Sequence, residues 1–176
     1  MIKALNYREL VLAVVLVVGM LAIGAYQPVF LAWENISDLL TETSVLFMMA
    51  LAQMVVILTR GIDLSVAANL ALSGMIAALV SQYYPDTPLV LMILAGVATG
   101  LVLGMINGAF VAFLNIPPIV MTLGTLAVFR GMIIIIAGGD QVNASEMGAS
   151  FQAFPKQVLL GLTTPVWIAI VVSILF

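Results

Sequence analysis

Residues 89–114 read LVLMILAGVATGLVLGMINGAFVAFL, a long apolar run without one charged side chain. A helix needs about 20 such residues to cross a bilayer. In lipid only a helix or a closed barrel satisfies its own backbone. Gly96, Gly100, Gly104 and Gly108 recur at every fourth position of this run. That spacing puts all four on one face of a helix, as a groove without side chains. In a soluble helix each glycine costs about 0.5–1 kcal/mol relative to Ala. In a membrane the groove lets a second helix approach closely. The four glycines are therefore expected to form a helix-packing seam. The run leads into Asn115-Ile116-Pro117-Pro118, where a straight helix cannot continue.

The rest of the composition agrees with a membrane as solvent. Apolar residues make up 64% of the 176 and charged residues 7%. Soluble domains carry roughly 45–50% and 25%. A soluble chain of this kind would lack the polar surface to cover its core. There is no Cys and no His, which removes disulfides, the usual zinc sites and imidazole catalysis. No cofactor and no metal site is expected, and the 11 Met read as adaptable packing. Five basic residues and a net charge of −3 argue against nucleic acid as a partner. No Gly-Lys pair exists, so the chain has no P-loop and cannot itself hydrolyse ATP in that way. The acids fall mainly in loops and offer no pair for general acid–base catalysis.

These runs predict an all-α, polytopic transmembrane bundle of about six spans, read as one domain over residues 1–176. The first run, Leu10–Tyr26, follows Lys3 and Arg8. Its length also suits a signal peptide, but further spans follow and a retained helix is the better reading. The second helix is expected from Ser37, as N-cap with acids in the first turn, to about Thr59. The third covers Leu64–Tyr84, and Pro85-Asp86-Thr87-Pro88 forms a turn. The fourth is the glycine helix, and the fifth covers Pro118–Ala137 with proline in its first turn. A polar segment, Gly138–Lys156, precedes a sixth apolar run, Val158–Phe176, which Thr163-Thr164-Pro165 can break. Lys3, Arg8 and Arg60 all fall on one side, which places the N-terminus in the cytoplasm.

A few polar residues stand out against this background. Arg60 and Asp63 flank Gly61 at a tight break between two helices, as an interfacial ion pair, a helix cap or a transport element. Asp63 and Ser65 are both suited to capping helix three. Arg130 lies within the fifth span, where a charge costs about 2.5–3.5 kcal/mol on insertion scales. It must face a wet cavity or a partner, or snorkel to the outer interface. Asn69 and Ser73 share a face of helix three, and Thr122 and Thr125 share one on helix five. Asn107 projects from the glycine helix. All five fit a polar path for a hydroxyl-rich solute, and fit interhelical hydrogen bonds equally well. The paired breaks at Gly61–Asp63 and Asn115–Pro118 are also compatible with the repeats of an ion-coupled carrier.

Several ordered motifs carry a resemblance. These are Leu58-Thr59-Arg60-Gly61-Ile62-Asp63-Leu64-Ser65-Val66 with Leu72-Ser73-Gly74, Gly104-Met105-Ile106-Asn107-Gly108, Asn115-Ile116-Pro117-Pro118-Ile119-Val120, Thr122-Leu123-Gly124-Thr125-Leu126 and Phe129-Arg130-Gly131. Together they resemble the permease subunits of bacterial sugar-uptake ABC importers, of the ribose, xylose, arabinose and rhamnose type and including the autoinducer-2 permeases. The resemblance implies a multi-pass protein of the bacterial inner membrane. It implies as partners a cytoplasmic ABC ATPase, a periplasmic solute-binding protein and a second permease subunit. Members of that family are longer, with an ATPase-docking loop in the later half, so the chain resembles an N-terminal portion. A non-transporting membrane scaffold is the alternative that this difference suggests.

Overall fold

The computed structural model describes residues 7–140 and 142–175. Lys3 in the orientation argument, Gln141 in the polar segment and Phe176 in the last apolar run lie outside them. The chain divides into two compact units, Met1–Thr43 and Ser44–Phe176, and one helix, α2, runs through the boundary.

In the first unit, α1 covers Tyr7–Tyr26 and exposes nearly all of its apolar side chains, as a helix bathed in lipid would. A 3-10 turn, Pro28–Leu31, follows, with the Leu31 side chain packed on Gly24 so closely that a Cβ there would have to displace it. The second helix, α2 (Trp33–Leu58), corrects the expected start at Ser37. The Ala32 carbonyl already accepts the Ile36 amide at 3.1 Å, so helical bonding is under way before Ser37 is reached. Ser37 is then an interior residue, whose carbonyl accepts the Thr41 hydroxyl at 2.7 Å.

The second unit is built on three helices, α3 (Val66–Tyr83), α4 (Leu89–Leu114) and α5 (Pro118–Ile136). They run up, down and up, with α3 packed against both others. Ala68 and Leu72 from α3, Leu103 from α4 and Phe129 from α5 form the buried core. The connections are those the turn residues dictate. Thr87 N–H donates to Tyr84 O at 3.0 Å across Pro85-Asp86. Asn115 closes α4 in the left-handed region at φ 53°, a conformation that Asn tolerates better than most. Pro118 then opens α5 at a position where no amide is needed.

Beyond α5 the chain makes a 3-10 turn (Ala144–Glu146), a short α6 (Ala149–Ala153) and a second 3-10 turn (Phe154–Lys156). The sixth apolar run is split. Val158–Leu159 (β1) and Leu162–Thr163 (β2) pair as an antiparallel hairpin. Its two-residue turn has Leu160 and Gly161 at φ 51° and 83°, the backbone signs that such tight hairpins require. Helix α7 starts only at Thr164 and continues to Leu175. Among the described residues five helices, α1 to α5, are long and apolar enough to cross a membrane. The helical membrane bundle is thus borne out.

Candidate functional site

The end of α2 sets the geometry of the first break. Gly61 N–H reaches back to Val56 O at 3.0 Å and Arg60 N–H to Ile57 O at 2.9 Å. These two bonds are a Schellman cap, which needs a left-handed residue just past the helix. Arg60 fills that position at φ 61°, where glycine is the usual occupant. The next residue has little room for a side chain. A Cβ on Gly61 would lie 3.2 Å from Val56 Cγ1 and 3.6 Å from Pro118 Cβ. The sharp exit therefore brings the start of α3 beside the start of α5.

There the polar residues of three helices converge. Asp63 Oδ1 accepts both the amide and the hydroxyl of Ser65, each at 2.7 Å. Ser65 is fully buried, and its Oγ accepts Asn107 Nδ2 from α4 at 2.8 Å. Across the same break, Thr122 Oγ1 on α5 accepts Leu64 N–H at 3.1 Å. The Thr122 hydroxyl faces two carbonyls, Ile62 O at 3.2 Å and Pro118 O at 2.8 Å. This knot ties α3, α4 and α5 together at one end of the bundle. One acceptor is left over: Asn107 Oδ1 is buried and bonds to nothing among the described residues.

The expected Arg60–Asp63 ion pair does not form. Asp63 is turned into the chain by Ser65, whereas the Schellman cap leaves Arg60 on the exposed side. Ser65 does occupy the N-cap position of α3, but its side chain joins Asp63 and Asn107 instead of capping the helix. Sequence reasoning thus undervalued Ser65, the link between the other two. The available signal was a small hydroxyl residue following Asp63 at two positions' distance, an Asx-turn spacing.

The glycine face divides into two halves. Gly96 and Gly100 meet α3: a Cβ on Gly96 would lie 3.3 Å from Ala77 Cβ and Ser73 O. One on Gly100 would contact Asn69 Oδ1 and Ser73, at 3.6 to 3.9 Å. Asn69 Nδ2 also donates to Gly100 O at 3.3 Å, an interhelical bond across this close contact. Gly104 and Gly108 have open space where a Cβ would be. Ser73 Oγ turns back to Leu70 O, and Thr125, although buried, bonds only carbonyls of its own helix. Arg130 lies on the exposed side of α5, next to buried Phe129. The structure thus joins Asp63, Asn107 and Thr122 in one cluster, sets Asn69 and Ser73 in another, and leaves Arg60 and Arg130 apart from both.

Comparison with known proteins adds a family. Residues 35–176 match the family model described as branched-chain amino acid transport system / permease component. The chain is 34% identical over 153 residues to the D-allose transport system permease protein AlsC of Escherichia coli, covering 86% of this chain and 46% of that protein. It is 29% identical over 170 residues to the autoinducer 2 import system permease protein LsrC of Salmonella typhi, covering 97% and 48%. With the galactose/methyl galactoside import permease protein MglC of Escherichia coli it shares 38% identity over 129 residues, 67% of this chain and 38% of that one. The chain therefore spans about half the length, or less, of these curated relatives. No solved structure matches. The chain is a multi-pass membrane protein, and it belongs to the family of permease components of transport systems.

Proposed function

We propose that this chain forms a single transmembrane permease domain of an ATP-driven importer for a monosaccharide or similar small polar solute. The observation that carries the reading is the knot of Asp63, Ser65, Asn107 and Thr122, which lies in the motifs that carry the resemblance to the sugar-importer permeases. Relatives named for D-allose, autoinducer 2 and galactose support the solute class. In this reading the N-terminus and both helix breaks face the cytoplasm, and the 138–156 segment faces outward. A cytoplasmic ABC ATPase drives the cycle, a periplasmic binding protein delivers the solute, and a second permease subunit completes the path. The knot keeps α3, α4 and α5 moving as one body when the ATPase pulls on them. Gly96 and Gly100 hold α3 against α4, and Asn69 and Ser73 supply polarity along that contact. Gly104 and Gly108 are left for a further helix, and Arg130 for a wet or anionic partner.

The test is co-purification. The protein, expressed with the ATPase and binding protein of the same system, should pull down the ATPase and show solute-stimulated ATP hydrolysis in vesicles. Stable membrane insertion with no ATPase captured, and no stimulation by any monosaccharide, would instead identify a scaffold.

A further inference from the structure

At the end of the bundle opposite the knot, the 142–156 segment folds back on α3. Gly148 N–H donates to the fully buried Ser81 hydroxyl at 3.0 Å, and a Cβ there would lie 2.9 Å from Pro85 O. Gln82 Nε2 donates to Glu146 Oε2 at 2.9 Å, and Asn143 Nδ2 to Glu146 Oε1 at 3.2 Å. The pinned segment encloses an open cavity of about 550 Å³. Its polar lining is Gln82, Tyr83, Asp140, Asn143 and Glu146, and its apolar lining is Leu79, Ala137 and Val142. Ala137, Asp140 and Val142 also border a second groove of about 430 Å³, which is mostly apolar and descends between α3 and α5 past Gly74 and Ala78.

We propose that this cavity is a binding site for a neutral, hydroxyl-rich molecule of monosaccharide size, placed at the outer mouth of the permease. It rests on the transport reading and adds to it a location and a residue set. The volume falls within the 300–1,000 Å³ typical of small-molecule sites. A lining without Lys or Arg disfavours anions. Glu146 already receives one amide donor on each carboxylate oxygen, so both oxygens have a partner without a bound cation. Carboxylates and amides accept and donate to sugar hydroxyls, while the ring of Tyr83 and the apolar wall suit the C–H face of a pyranose. The groove below offers a continuation towards the middle of the bundle, between Gly74 and Ala78 on α3 and the isoleucines of α5.

The experiment is equilibrium binding of radiolabelled D-galactose and D-ribose to the full chain in lipid nanodiscs, with ATP-dependent uptake by the assembled system measured alongside. Asp140→Asn removes a carboxylate that makes no side-chain hydrogen bond among the described residues, so folding should be preserved. It should weaken binding of the preferred sugar about tenfold, the scale of one charge-assisted hydrogen bond. Val142→Trp should fill the cavity and abolish binding, and unchanged far-ultraviolet circular dichroism will exclude misfolding. The inference is overturned if the wild type binds neither sugar saturably, or if both variants bind as the wild type does. It is also overturned if an organic ammonium ion such as choline displaces sugar at lower concentration than unlabelled sugar itself. Sugar binding that Asp140→Asn weakens and Val142→Trp abolishes, without any uptake by the wild type, would sustain the cavity and refute the transport reading. Uptake that both variants leave unchanged would do the reverse.

Discussion

Asn107 and Ser65, 42 positions apart in the chain, meet in a buried 2.8 Å hydrogen bond that locks the glycine helix to the start of α3. The Ser65 hydroxyl in turn donates a hydrogen bond to Asp63 Oδ1, so one amide, one hydroxyl and one carboxylate form a directed chain. The bond to the carboxylate polarises the Ser65 hydroxyl and strengthens its acceptance from Asn107.

Replacing Asn107 separates that bond from simple packing. Asn107→Ala should cost about 1 kcal/mol, near the usual value of an interhelical hydrogen bond in a membrane. Asn107→Asp should cost more, because a second carboxylate would share the Ser65 hydroxyl with Asp63. Unfolding in mixed detergent micelles, followed by circular dichroism, will rank the two. Equal stability of Asn107→Asp and the wild type would refute the directed chain.

The two halves of the glycine face should respond oppositely to bulk. Gly96→Leu drives a side chain against Ala77 and the Ser73 carbonyl and should destabilise the α3–α4 pair by about 1–3 kcal/mol. Gly104→Leu enters open space and should leave stability within about 0.5 kcal/mol. Thermal unfolding of the single variants in nanodiscs measures both, and equal losses would show that the seam extends beyond the Gly96–Gly100 contact.

Arg60 occupies a backbone position suited to glycine. Arg60→Gly should therefore raise stability by up to about 1 kcal/mol, because the left-handed strain of a side chain is relieved. Gly61→Val should lower it, by pressing on Val56 and Pro118. Chemical denaturation of the two variants provides the comparison, and destabilisation by Arg60→Gly would mean that the guanidinium itself holds the break.

Much of this arrangement was legible in the sequence, and the reasons for the exceptions are physical. Prolines and Asn115 fixed the breaks because few backbone conformations are open to them. The apolar runs fixed five spans because a bilayer demands length. The start of α2 was not legible: Ala32, which closes a 3-10 turn led by Pro28, accepts the Ile36 amide, and that depends on spacing finer than composition reveals. The Val158–Thr163 hairpin was hidden because apolar residues serve a short strand and a helix equally. The cluster of Asp63, Asn107 and Thr122 lay in view as separate residues. Their convergence needed the Schellman turn at Arg60 and Gly61, which two residues' identities alone do not announce.

Orientation is open to direct measurement because the chain has no cysteine of its own. Single cysteines at positions 60 and 86 should label from opposite faces of intact cells. Position 86 should react with an impermeant maleimide applied outside, and position 60 only after the membrane is opened. The reversed pattern would place the N-terminus outside and turn the proposed outer cavity towards the cytoplasm.

The most direct measurement is solute uptake into vesicles holding the full protein with its ATPase and binding protein. Transport of D-galactose or D-allose should require ATP and survive collapse of the proton and sodium gradients, and Asn107→Asp should reduce it at least tenfold. Uptake that continues without ATP and stops when the gradients collapse would contradict the account and make this chain part of an ion-coupled carrier.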